Sequence, residues 1–237
     1  MVEKIYLKDA YVKDFEATVS SVDNQIVELD RTAFYPTGGG QPSDSGTISF
    51  GNSRYKVIEV SKSGDSVLHK MENAQGLEAG TQIEGHLDWE KRYMHMRLHT
   101  ALHIIDGVVH KNLDGNITGG QIYDDRARMD FDVPGLDRQK VEKIIEAAQE
   151  IVDKRLTVSV KFMSKEEASA VPGIARTAPG EELMRKLDII RIIDIEGFDF
   201  QLDGGTHVAN TSEVGKIGII KYENKGSHNK RIEIALL

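Results

Sequence analysis

The chain has 237 residues, enough for one large domain or two small ones, each able to bury a core. Its 38 acidic and 30 basic side chains leave a net charge of −8, which argues against a general nucleic-acid coat, because Lys and Arg must replace phosphate counterions. No apolar run has bilayer-spanning length, MVEKIYLKDAYVKDF has no signal-like apolar core, and the lack of Cys excludes disulfides and confines a metal site to His and carboxylates, so a soluble cytoplasmic protein is expected.

Residues 1–88 read as short β-rich runs broken by turn signals, such as Asp23-Asn24 and Gly64-Asp65, and predict a small β-barrel. Within them, FYPTGGGQPSDSG (34–46) could be a phosphate cradle, ester-cleaving machinery or a tight turn. No G-K-[ST] follows, so a P-loop is unsupported. Tyr35-Pro36 before the glycines, and Asp44 and Gly46 after them, suit an ordered loop.

At Asp88 the pattern changes. Asp88 is a potential cap for WEKRYMHMRLHTALHIIDGVVHKNL, whose apolar residues keep helical spacing up to Leu113. After Asn112-Leu113-Asp114-Gly115 comes a strand-like QIYDDRARMDFDV. A second helix follows, capped by Asp137, with Val141, Ile144, Ile145, Ala148, Ile151 and Val152 on its buried face. TVSVKFM, IIRIIDI, GKIGIIKY and RIEIALL read as strands in a remainder of strands and loops. The whole predicts an α+β chain, with a barrel over 1–88 and an antiparallel sheet packed on long helices over 89–237.

Two clusters carry chemistry. His95, His99 and His103 recur every four residues and share one helix face, a common way to present two metal ligands one turn apart. A hundred residues on, Asp203-Gly204-Gly205-Thr206-His207 places a carboxylate and an imidazole around a Gly-Gly turn, where glycine allows a sharp bend. Two helical His, one loop His and Asp203 as a possible fourth ligand make a plausible Zn²⁺ site. A zinc protease of the H-E-x-x-H type is excluded, because Thr100 stands where its Glu base is required.

FYPTGGGQPSDSG, LDWEKRYMHMRLHTALHI, DRARMDF, LDGGTHVANTSEVGKIGI and KGSHNKRI, in that order, resemble the alanyl-tRNA editing (AlaX) family, relatives of the editing domain of alanyl-tRNA synthetase. The length is similar to that of the medium form. The family's metal pattern, HxxxH then CxxxH, maps onto His99, His103 and His207, with Asp203 in place of the cysteine. His95 falls one turn before the pattern, as a structural residue or one that supports the ligands from outside.

The resemblance implies hydrolysis of mischarged tRNA-Ala in trans, with a seryl ester the main target and a glycyl ester second. It implies Zn²⁺ as cofactor, no membrane or DNA partner, and Asp203 as a candidate catalytic group beside zinc itself or the tRNA ribose hydroxyl. Alanine is smaller than serine, so the pocket must demand a hydroxyl. Thr118, Gln121 and Thr206 are the candidates for that contact, with Thr100 also in reach. Gly38, Gly39, Gly40 and Gln41 are expected to border the substrate, and Arg126, Arg128, Lys221, Lys225, Lys230 and Arg231 to meet tRNA phosphates around the Gly226–His228 loop. The alternatives are a zinc hydrolase of another aminoacyl-tRNA or ester, and a non-catalytic RNA-binding module with a structural zinc.

Overall fold

A computed structural model describes residues 2–113, 115–226 and 229–237; Asp114 of the expected turn, and Ser227 and His228 of the C-terminal loop, lie outside the described residues. The chain divides into two compact units, Met1–Met94 and His95–Leu237.

In the first unit, β1 (Glu3–Lys4) pairs in parallel with β4 (Arg31–Thr32). A closed barrel runs in the order β2 (Asp14–Asp23), β3 (Ile26–Leu29), β7 (Ser66–Met71), β6 (Ser53–Ser63), β5 (Gly46–Phe50), β8 (Gln82–Leu87). Closure leaves no free sheet edge. The two predicted turns are where the sequence put them: Asn24 and Gly64, with φ of 54° and 57°, link neighbouring strands. Alternating side chains, among them Val19, Val27, Ile48, Val57, Val60 and Met71, fill the interior.

The glycine-rich stretch closes on itself as a two-residue turn. Gly38 N–H donates to Gln41 O at 3.1 Å and Gln41 N–H to Gly38 O at 2.9 Å. Gly39 and Gly40 take φ of 59° and 79°, the pair of positive values a type I′ turn demands and glycine supplies without strain. The Tyr35 hydroxyl donates to Gly38 O, and Gln41 is fully buried.

Helix α1 (Trp89–Leu113) is capped by Asp88, whose carboxylate accepts from Lys91 N–H. Its first turns belong to the first unit, where buried Arg92 reaches Asp44. The strand-like stretch after α1 resolves into a hairpin of β9 (Asn116–Ile122) and β10 (Ala127–Asp132), which joins β14 (Ile217–Asn224) and β15 (Lys230–Leu236) in the order β14-β15-β10-β9. Helix α2 (Arg138–Asp153) is capped by Asp137 and buries all six of the expected apolar residues.

A second antiparallel sheet, β11 (Val158–Ser164), β12 (Ile189–Ile195) and β13 (Asp199–Leu202), lies in the same unit. Two short helices, α3 (Lys165–Ser169) and α4 (Ala178–Lys186), stand where only strands and loops were expected. Their cue is local: Ser164 forms a capping box with Glu167, and Thr177 caps a helix with Pro in its first turn. No helix among the described residues is long and apolar enough to cross a membrane.

Candidate metal centre

The sequence brings four donors to one point. His99 and His103 come from α1, and Asp203 and His207 from the segment after β13. One ligand atom from each lies within 4.8 Å of all the others. Asp203 Oδ1 is 3.4 Å from His99 Nε2, 3.7 Å from His103 Nε2 and 3.4 Å from His207 Nε2. Tetrahedral bonds of about 2.0–2.1 Å to zinc imply donor–donor edges of about 3.3 Å, so this donor set fits such an ion.

The loop bends differently from the expectation. Neither Gly204 nor Gly205 takes a positive φ. The Asp203 carboxylate itself makes the turn, accepting from Gly205 N–H at 3.1 and 2.9 Å, a local Asx arrangement. Arg191 on β12 fixes the same residue from behind, donating from Nη1 to Asp203 O at 2.7 Å.

Thr100, one position after His99, is fully buried and committed. Its hydroxyl donates to Met96 O at 2.9 Å, accepts from Val208 N–H at 3.2 Å, and sits 3.2 Å from His207 Nδ1. With the hydroxyl proton on Met96 O, Thr100 accepts from Nδ1–H, the tautomer in which Nε2, 3.4 Å from Asp203 Oδ1, turns its lone pair into the cluster. His95 is buried outside the cluster, with Nε2 on Asp124 Oδ1 at 2.9 Å.

The electrostatics follow from burying three imidazoles around one carboxylate. Burial pushes His99 down to about 4 against the pull of Asp203. Burial, with the neighbouring His99 charge, holds His207 well below its ordinary value. Burial also opposes charge on His103, but the Asp203 hydrogen bond and the charges of Asp203, Asp199 and Asp106 overcome it and raise its pKa. At Asp203 burial favours the neutral acid, yet the charge of His99 and the close approach of His103 and His207 keep the carboxyl well below its usual range. Neutral His99 and His207 beside an ionised Asp203 are in the protonation state a divalent cation requires, whereas His103 must give up its added proton to join them.

The other expected residues lie as follows. Thr206 is fully buried next to His207. Thr118 is exposed at the β-bulge where β9 slips register between Gly119 and Ile117, and bulges re-aim side chains. Gly120 faces Leu102 of α1, whereas Gln121 pairs with Arg128 on the opposite face of β9, its amide on Ile122 O. Most of the cations are already paired. Arg231 is bidentate on Asp130, with Arg128 beside it; Arg126 meets Asp125 and Glu233; Lys221 and Lys225 share Glu223. Lys230 is buried, its ammonium on Asn224 Oδ1 and Gly226 O.

Sequence reasoning passed over a buried polar layer formed by Asp106, Arg176, Asp199 and Gln201. Its cue was a lone acid in the apolar run IIDGVV and two inward polar residues in FDFQLD.

Residues 3–91 match the family described as tRNA synthetases class II (A), and residues 190–233 the threonyl and alanyl tRNA synthetase second additional domain. The chain is 39% identical to the alanyl-tRNA editing protein AlaX-M of Saccharolobus solfataricus, over 98% of each protein. It is 37% identical to AlaX-M of Methanosarcina barkeri, over the full length of both. The alanine–tRNA ligase of Ignicoccus hospitalis is 36% identical over 92% of this chain but only 24% of the ligase.

Proposed function

The chain belongs to the family of alanyl-tRNA editing proteins of the AlaX-M type, and we propose that it is a zinc-dependent deacylase of mischarged tRNA-Ala, cleaving seryl and, second, glycyl esters. The observation that carries this reading is the buried meeting of His99, His103, Asp203 and His207 within 4.8 Å. These four residues would hold Zn²⁺, which when bound supplies Lewis-acid stabilisation of the charge that builds on the ester carbonyl.

The protein's own part is to hold its donors ready. Thr100 orients His207, the Gly205 amide and Arg191 fix Asp203, and α1 spaces His99 and His103 by one turn. Asp203 stays ionised at neutral pH, so it serves as a fixed negative charge among the three imidazoles, and it is the carboxylate candidate for a catalytic role. Rejecting alanine requires a polar group left unpaired when the hydroxyl is absent. Thr118, exposed at its bulge, is the first candidate for that group, followed by Thr206 and Gln121. The Gly38–Gly40 apex handles the tRNA end and buried Gln41 supports it, so Gln41→Ala impairs substrate handling more than zinc binding. The clustered donor set supports a metal, and the name of the AlaX-M relatives supports alanyl-tRNA editing.

The test is deacylation of Ser-tRNA-Ala, Gly-tRNA-Ala and Ala-tRNA-Ala with and without a chelator. Activity on the seryl ester is expected to vanish with chelator and in His103→Ala while the protein stays folded. Persistent deacylation by folded His103→Ala overturns the reading.

A further inference from the structure

Behind His103 lies the buried layer that the reaction above leaves without a role. Arg176 donates from Nη1 to Asp106 Oδ2 at 3.1 Å and from Nη2 to Asp199 Oδ1 at 2.7 Å. Gln201 Nε2 donates to Asp199 Oδ2 at 3.0 Å and also reaches Asp106 Oδ2. The side chains of Asp106 and Asp199 are only 9% and 1% exposed. Two carboxylates face one guanidinium, so the layer carries an uncompensated negative charge in a place where such a charge is costly unless something cationic or hydrogen-bonding answers it.

The group that faces this surplus is His103. Its Nδ1 lies 3.9 Å from Asp199 Oδ2 and has no hydrogen-bond partner among the described residues. Its other nitrogen, Nε2, points into the metal centre, 3.7 Å from Asp203 Oδ1. A ligating imidazole needs one nitrogen protonated and held from outside, so that the other offers its lone pair. Thr100 does this for His207; His103 has only Asp199.

We infer that Asp199 is the positioning carboxylate of His103: it takes the Nδ1–H, fixes the tautomer that presents Nε2 to the metal centre, and is itself held by Arg176 and Gln201. Asp106 serves the same network and is paired with Arg176 instead of His103, so it provides an internal control. The inference rests on the zinc reading of the site and deepens it.

The test uses the full chain, stripped of metal and titrated with Zn²⁺ alone, with histidine nitrogen NMR of the loaded wild type. His103 is expected to show a protonated Nδ1 and a zinc-shifted Nε2. Asp199→Asn is expected to weaken zinc about 10–100-fold, the usual cost of losing an outer partner. Asp106→Asn, which strips a carboxylate from the same Arg176, should weaken it less than about threefold. Zinc on His103 Nδ1 overturns the inference, and that spectrum needs no variant to fold. Equal weakening by both substitutions, or none by Asp199→Asn, overturns it as well while leaving the zinc reading intact. A wild-type chain that takes up no zinc overturns both.

Discussion

The two units bury histidine for opposite reasons. In the barrel, burial pushes His69 down to about 4, the same value as His99 in the second unit. Yet His69 is complete: Nδ1–H donates to Val27 O at 3.0 Å, and Nε2 accepts from the Thr32 hydroxyl at 2.9 Å. Thr32 in turn accepts from Phe34 N–H. Every polar atom has its match, and the ring behaves as part of the core. In the second unit three imidazoles crowd one carboxylate at 3.4–3.7 Å, and an outer layer holds surplus negative charge. A depressed imidazole pKa alone therefore does not mark a site. What separates the two is whether the hydrogen-bond inventory closes without a ligand.

The same contrast extends to the buried carboxylates, and here the largest change in stability is expected. Asp44 accepts from Tyr35 N–H and from Arg92, whose guanidinium also donates to Ala10 O and Ala33 O. Arg92→Ala leaves Asp44 buried and unpaired, which costs ~3–5 kcal/mol. The lone tryptophan, Trp89, falls in the first unit and reports its urea unfolding. Asp203→Ala lies in the second unit and should move this Trp89-reported, metal-free transition by a small fraction of that cost, while zinc uptake is lost. Equal destabilisation by the two substitutions would erase the distinction between a structural and a functional buried acid.

A smaller effect separates the histidines by pH. His69 has a folded pKa of about 4 against an ordinary 6.5, so between those values the unfolded chain binds more protons than the native one. Its contribution is therefore present above pH 6.5 and is lost as pH falls toward 4, by up to about 3 kcal/mol. Trp89-monitored urea midpoints at pH 7.5 and 5 should drop in the wild type and drop less in His69→Gln. A parallel fall in both proteins would place the acid sensitivity elsewhere in the first unit.

How legible all this was depended on the range of the signal. Barrel turns, the Asp88 and Asp137 caps and the buried face of α2 are written in local periodicity and capping chemistry, and they could be read directly. The meeting of His99, His103, Asp203 and His207 was legible too, because HTALH and DGGTH each carry a pair at fixed spacing. The Asx turn at Asp203 was not, since glycines suggest backbone freedom and the carboxylate does the bending. The Asp106–Arg176–Asp199 layer joins a helix, a loop and a strand, and no local pattern reports a partner 70 or 23 residues away.

The smallest expected effect concerns the C-terminal hairpin, where sequence showed cations and the structure shows pairs. A Lys or Arg that meets a phosphate releases counterions, and each such contact steepens log K against log [salt] by about 0.7–0.9. Arg231, locked bidentate on Asp130, must abandon that carboxylate to reach RNA, and its pKa is raised by the same hydrogen bond. Lys225 is held more loosely, 3.7 Å from Glu223, and is freer to exchange partners. Filter binding of tRNA-Ala across a salt series should therefore show a slope flattened by less than one unit in Lys225→Ala, and by still less in Arg231→Ala. A larger change in Arg231→Ala than in Lys225→Ala would mean that RNA outcompetes Asp130, so that this hairpin holds its charges for a ligand and not for the fold.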